Sequence, residues 1–175
     1  MYTLKPDEKS SPVMAYTRST LIRGEVVTKQ NIRVSIWLRT EGAPEYLHLL
    51  KPQVINLNST PAQALNFPEI FTPTSQVLGF HLTPPIQDPL DYDESEMNRV
   101  MQPVSVLVGT FIIRGFLRVS TQVDIGTSIA SNTRIAWLSI YNVKVSNPYL
   151  PQMGEISVPM LLVRPNQVSF AVAAS

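Results

Sequence analysis

The sequence predicts an all-β protein: two tandem five-stranded small barrels, an internal duplication with pseudo-two-fold symmetry and little helix. Three observations carry that expectation. Apolar and polar residues alternate with period two over most of the chain, the pattern of half-buried strands. Fifteen prolines against seven glycines are spread throughout; proline is kept out of helix interiors and central strands, so the prolines read as punctuation between short strands. The tripeptide Ile22-Arg23-Gly24 recurs as Ile113-Arg114-Gly115, and a shift of 91 positions aligns further residues without a gap. Pro12-Val13 falls on Pro103-Val104, Leu47 on Leu138, Val54 on Val145, Asn56 on Asn147, Pro68 on Pro159, and Gln76-Val77 on Gln167-Val168.

This register divides the chain into a polar arm over 1–11, a first β module over 12–82, a Pro-rich acidic linker over 83–100 and a second β module over 101–175. In the first module, Thr20 to Thr28 alternates, with Ile22, Gly24 and Val26 on one face and Leu21, Arg23 and Glu25 on the other. Asn31 to Thr40 reads as a second strand on the spacing of Ile32, Val34 and Ile36. Glu41-Gly42-Ala43-Pro44 is a turn signal. Tyr46 to Leu57 reads as a longer strand broken near Pro52, and Asn58 to Asn66 as a polar crossover. Pro68 to Thr72 and Gln76 to Leu82 close the module across Pro73-Thr74-Ser75.

The linker holds five of the thirteen acidic residues, between Asp88 and Glu96. It reads as a solvated connector, with docking onto a basic face of a neighbour as the sharper alternative. In the second module, Val104 to Val119 reads as one long strand. Phe111, Ile113, Gly115, Leu117 and Val119 share its apolar face; Ile112, Arg114, Phe116 and Arg118 share the other. Thr121 to Ala130 is its second strand, Arg134 to Ser146 its third, and Asn147 to Pro151 a stiff crossover. Ile156 to Val163 and Gln167 to Ala173 complete it. A glycine on the apolar face of a long strand permits a sharp bend or close backbone approach, as a small barrel requires.

Five short strands with a bent, glycine-bearing strand resemble an Sm-like or SH3-like small barrel. From Phe111 to Val168 the chain also resembles an uncharacterised family of small bacterial β-domains, through Gly115, Trp137-Leu138-Ser139 and the Pro165-Asn166 turn. Tyr46-Leu47-His48 stands in for the tryptophan segment in the first module. The resemblance implies ring assembly and RNA binding. No base-stacking or phosphate-binding set maps onto this sequence.

Composition narrows the function. Apolar residues make up 44 % of the chain and charged residues 15 %, against roughly 25 % charged in typical domains. So little charge leaves surface that association would bury. Fourteen basic and thirteen acidic residues give a net charge of +1, without the basic excess of nucleic-acid binders. There is no cysteine, hence no disulfide framework. The N-terminus lacks the apolar run of a secretory signal and no stretch is long enough to span a bilayer, so a cytoplasmic protein is expected.

Chemistry is sparsely encoded. His48 and His81 are the two histidines. Glu45, the acid nearest His48, points to the opposite strand face, and His81 aligns with Val172 of the second module. No phosphate loop or nucleophile elbow is present. An enzyme is not expected, nor a cofactor or metal. Trp37, Tyr46, Trp137 and Tyr141 could stack on bases but read as core or interface. The reading is a non-enzymatic structural or assembly protein forming homo-oligomers, with a nucleic-acid-binding module as the alternative. Arg23, Ile112, Arg114, Phe116 and Arg118 are the expected interface, apolar side chains interleaved with arginines on an outer strand face.

Overall fold

The recurrent Ile-Arg-Gly lies in the second strand of each of two compact units, Met1–Asp88 and Pro89–Ser175. The computed structural model describes residues 2–59 and 61–172. The first unit contains β1 (Glu8–Tyr16), β2 (Thr20–Lys29), the single helical turn α1 (Val34–Trp37), β3 (Tyr46–Asn56), β4 (Gln63–Asn66), β5 (Glu69–Pro73) and β6 (Gly79–Leu82). The second contains β7 (Arg99–Val108), β8 (Phe111–Ser120), α2 (Ile125–Ser131), β9 (Leu138–Ser146), β10 (Ile156–Val163) and β11 (Ser169–Val172). The all-β expectation holds at the level of class. No described helix is long and apolar enough to cross a membrane.

Every pairing within the two units is antiparallel. The first runs β6-β1-β2-β3-β4, with β5 also on β3; the second runs β11-β7-β8-β9-β10. The ladders repeat at the sequence shift. Glu8↔Lys29 becomes Arg99↔Ser120, Ile22↔Val54 becomes Ile113↔Val145, and Leu47↔Thr72 becomes Leu138↔Val163. Among the described ladders, none closes β6 onto β4 or β5, or β11 onto β10, so each order is open where closed barrels were expected. The last strands, β6 and β11, have only four residues each.

The tripeptide recurs because both units bulge at the same place. Between β2 and β3, Arg23 faces Gln53 but Glu25 faces Leu50, so β3 carries one extra residue. Between β8 and β9, Arg114 faces Lys144 and Phe116 faces Tyr141, the same offset. The extra residue is accommodated by a left-handed backbone at Lys51 (φ 47°) and at Asn142 (φ 48°). The bulge pushes the third strand against the glycine between the paired residues. A Cβ at Gly115 would stand 2.7 Å from the Tyr141 carbonyl oxygen and 2.8 Å from Ile140 Cγ2. At Gly24 the corresponding approaches, to Leu50 O and Leu49 Cβ, are 3.2 and 3.3 Å. Glycine is required by close approach, most tightly in the second unit.

Alternation places Val26, Phe111 and Ile113 on apolar faces that are buried, but Leu21, placed with Arg23 on the other face, is buried as well at 2 % exposure, and so is Val106, which a single strand over Val104 to Val119 would put beside Arg114. Val13, Val26, Leu47 and Leu49 are 0 % exposed in the first unit, as are Val106, Phe111, Ile113 and Ile140 in the second. Each such side chain contributes roughly 1.5–3 kcal/mol over its exposed state.

Several elements differ from expectation, each for a local reason. Asn31 to Thr40 contains a helical turn, not a strand, because Val34 and Leu38, four apart, bury on one side at 2 % exposure each. Thr121 to Ala130 contains α2, started by Asp124, whose carboxylate accepts from Thr127 N at 2.9 Å. The long strand Val104 to Val119 is a hairpin: Val108 pairs Phe111, and Gly109 turns the chain at φ 57°. Glu8 to Ser11 belong to β1 rather than to an arm, and Gln63 to Asn66 form β4 rather than crossover. The linker ends in strand, since β7 begins at Arg99. Ala173, the last residue of the expected final strand, lies outside the described residues. One ladder breaks the repeat. Val13 faces Leu82 while Val104 faces Val172, one residue short of the shift, so the counterpart of His81 is Ala171 and not Val172.

Candidate functional site

The hairpin correction brings a new strand beside the expected interface residues. On the outer side of β7 and β8 the cross-strand pairs are Leu107↔Ile112, Ser105↔Arg114, Pro103↔Phe116 and Met101↔Arg118. Directly opposed residues share a sheet face, so Arg114 sits between two apolar pairs. Leu107 is 43 % exposed; Pro103 and Arg114 are exposed, and Ile112 and Phe116 half-buried. β11 borders this face, with Ser169 opposite Leu107 and Ala171 opposite Ser105. Sequence reasoning missed Leu107 and Pro103 because it read β7 and β8 as one strand. The Gly109-Thr110 step was the signal available.

The other expected residues are placed differently. Arg23 is exposed on β2, in the first unit, opposite Met14 and Gln53. Arg118 is engaged by its own unit. It donates to Glu96 Oε2 at 2.6 Å and to the Asp93 carbonyl at 2.7 Å, and its guanidinium lies 4.6 Å over the Tyr92 ring. The acidic segment expected to be a solvated connector is thus pinned here. Asp91 accepts from Ser139 Oγ at 2.8 Å and from Tyr141 OH at 2.6 Å, and Asp88 from Ser35 N at 2.9 Å and its Oγ at 2.7 Å. Of the aromatics offered for base stacking, Trp137 and Tyr141 are buried, with Arg164 over the Trp137 ring at 4.5 Å.

The equivalent positions in the first unit are covered. Tyr16↔Leu21 replaces Leu107↔Ile112, at 0 % and 2 % exposure. Met14 replaces Ser105 opposite the arginine, at 7 %. Tyr16 and His81 form a buried polar pair: Tyr16 OH lies 2.8 Å from His81 Nε2, and His81 Nδ1 lies 2.7 Å from the Leu82 carbonyl. The carbonyl accepts only from a protonated Nδ1, so Nε2 accepts from the tyrosine. Burial lowers the His81 pKa to about 4 and raises that of Tyr16.

His48 finds an acid that no spacing nominated. Glu69, directly diagonal on β5, lies 2.9 Å from its Nε2. The bond from His48 is the largest cause holding the Glu69 carboxyl below its ordinary value. Phe71 stacks on the imidazole at 4.2 Å and Tyr2 meets it edge-on at 5.7 Å. Among the described residues no cluster of three or more His, Cys, Asp or Glu could hold a metal ion.

Compared with known protein families, curated proteins and solved structures, the chain matches none.

Proposed function

We propose that this chain is a non-enzymatic structural or assembly protein whose copies associate through the outer face of β7 and β8. The observation that carries the reading is a difference in burial between equivalent positions. Tyr16 and Leu21 are buried; of their counterparts, Leu107 is exposed at 43 % and Ile112 half-buried. Apolar pairs flanking a central arginine match the composition of interface cores. A face that is covered in one repeat and bare in the other is a natural place for a further copy of the chain to add. The chain's 15 % charged content supports the same reading. A ring of closed barrels, as the Sm-like resemblance implies, fits poorly with the open strand orders. Face-to-face association into a shell, filament or ring of open units is favoured.

Sedimentation velocity of the untagged chain and of Leu107→Asp tests this. The wild type is expected to sediment as a multimer of the 19.5 kDa chain, and the variant as a monomer, because a carboxylate in place of the exposed leucine must be desolvated on association and removes the apolar contact. Phe116→Glu acts in the same direction but disturbs a half-buried residue. A wild type that is monomeric at every concentration, or a Leu107→Asp variant that assembles normally, contradicts the proposal.

A further inference from the structure

The outer face of the second unit is covered at one end and open at the other. Its middle cross-strand pair is Pro103↔Phe116, with Leu107↔Ile112 and Arg99↔Ser120 equally far to either side. Over the Arg118 end lies the acidic segment. Asp91 bonds Ser139 and Tyr141, and Glu96 and the Asp93 carbonyl hold Arg118. At the other end Leu107 and Arg114 are exposed. The face is therefore stepped, with a ridge beside a recess.

Two side chains of the ridge do nothing for their own unit. Met97 is 95 % exposed, the most solvated large apolar side chain among the described residues. Glu94 is exposed and makes no hydrogen bond or ion pair among the described residues. Its neighbours are engaged: Asp93 accepts from Ser95 N and Oγ, and Glu96 pairs with Arg118. In the recess the unengaged group is a cation. Lys144 is bridged to Glu155 at 3.0 Å, whereas Arg114 has no hydrogen bond or ion pair among the described residues. The ridge carries Asp91, Asp93, Glu94 and Glu96 against Arg99 and Arg118; the recess carries Arg114 and Lys144 against Glu155. The two ends are opposite in net charge as well as in shape.

This pattern limits how two such faces can meet. A two-fold axis along the strands would set Arg114 against the partner's Arg114, and like charges there oppose association. An axis across the strands, at the Pro103–Phe116 pair, reverses one sheet on the other. Arg114 then faces the partner's ridge, where Arg118 is already paired and carboxylates are in surplus. Leu107 and Ile112 face the end where the partner's Met97 projects.

We propose that copies of the chain pair about this second axis, the ridge of each seated in the recess of the other; the inference rests on the reading that they associate through this face. Glu94 meets the partner's Arg114 in a charge-assisted pair. Met97, a flexible side chain suited to irregular apolar surface, packs on the partner's Leu107 and Ile112. Each contact occurs twice, and the pair closes on itself, so growth beyond a dimer uses a second surface.

Sedimentation velocity of two charge reversals, Glu94→Lys and Arg114→Glu, tests the pairing. Both residues are exposed, so neither change disturbs the core. Each variant alone is expected to associate at least about tenfold more weakly, because it sets like charges together at both contacts. Mixed in equal amounts, the two variants should recover wild-type association, since both ridge-to-recess contacts of the mixed pair again join opposite charges. Single variants that associate like the wild type, or a mixture no stronger than either alone, overturn this pairing; a monomeric Leu107→Asp beside them would leave the face itself standing. A wild type that is monomeric at every concentration removes the reading and this inference together.

Discussion

The two units share their ladders and their bulge and differ in what lies over the third strand. In the first, Tyr2 meets His48 edge-on, Glu69 bonds the imidazole, and a cavity remains beside them. In the second, Ser139 stands in the place of His48 and donates to Asp91, while Tyr92 packs against Tyr141 at 4.8 Å and under Arg118. The segment that precedes the first strand folds back in both, leaving a recess in one and supplying its own acid and ring in the other. The difference separates two kinds of constraint. Backbone geometry, fixed by the bulge and its glycine, is repeated nearly residue for residue. Side chains that only cover that backbone have diverged in charge, aromaticity and burial.

The largest expected effect comes from a pair that one unit has and the other lacks. His81 is buried neutral, with its pKa lowered to about 4, against about 6.5 in an unfolded chain. Between those values the unfolded chain takes up a proton that the folded chain refuses. Stability contributed by this site is therefore complete above about pH 6.5 and falls as pH drops toward 4, by roughly 3 kcal/mol at most. The second unit has Leu107 and Ala171 at these positions and adds nothing to the slope. Urea unfolding across this pH range should show the decline in the wild type. The double variant Tyr16→Phe/His81→Leu should lose it; a slope of the same size there would assign the acid sensitivity elsewhere.

A smaller effect separates the two bulges. Lys51 and Asn142 occupy the same left-handed conformation, which costs most side chains about 1 kcal/mol and asparagine less. Lys51→Gly should raise the thermal midpoint, with a gain of about 0.5–1 kcal/mol. The lost Lys51–Glu25 contact at 3.4 Å is exposed and weak. Asn142→Gly should gain less. An equal or reversed order would mean that the two bulges are strained differently from their backbone angles.

Much of the fold is legible in the residues, through features that depend on local chemistry alone. Thr20 to Thr28 alternates and is a strand, Ile156 to Val163 is a strand at the bounds read from the sequence, and the break near Pro52 is the bulge itself. The misses arise where two local signals compete. Val34, Ile36 and Leu38 satisfy a strand period, but Val34 and Leu38 also satisfy a helical one, and burial decides for the helix. The hairpin at Gly109 hid inside a continuous apolar run. Features set by tertiary pairing left no local trace. Glu69 reaches His48 across β3 and β5 at a separation of 21 residues, and Arg118 reaches Glu96 from 22 residues away. The one-residue slip of β11 follows from the connection before it, where the turn bond Val77 N to Thr74 O becomes Gln167 N to Arg164 O.

Central to this account is that the tripeptide recurs for its glycine rather than its arginine. Urea unfolding of Gly115→Ala, Gly24→Ala, Arg114→Ala and Arg23→Ala measures that directly. Gly115→Ala should lose about 1–3 kcal/mol and Gly24→Ala less, because only Gly115 has backbone within 3.0 Å of the added carbon. The exposed arginines should change stability by no more than about 0.5 kcal/mol. Arginine variants that destabilise as much as Gly115→Ala, or a Gly115→Ala variant indistinguishable from wild type, would contradict it.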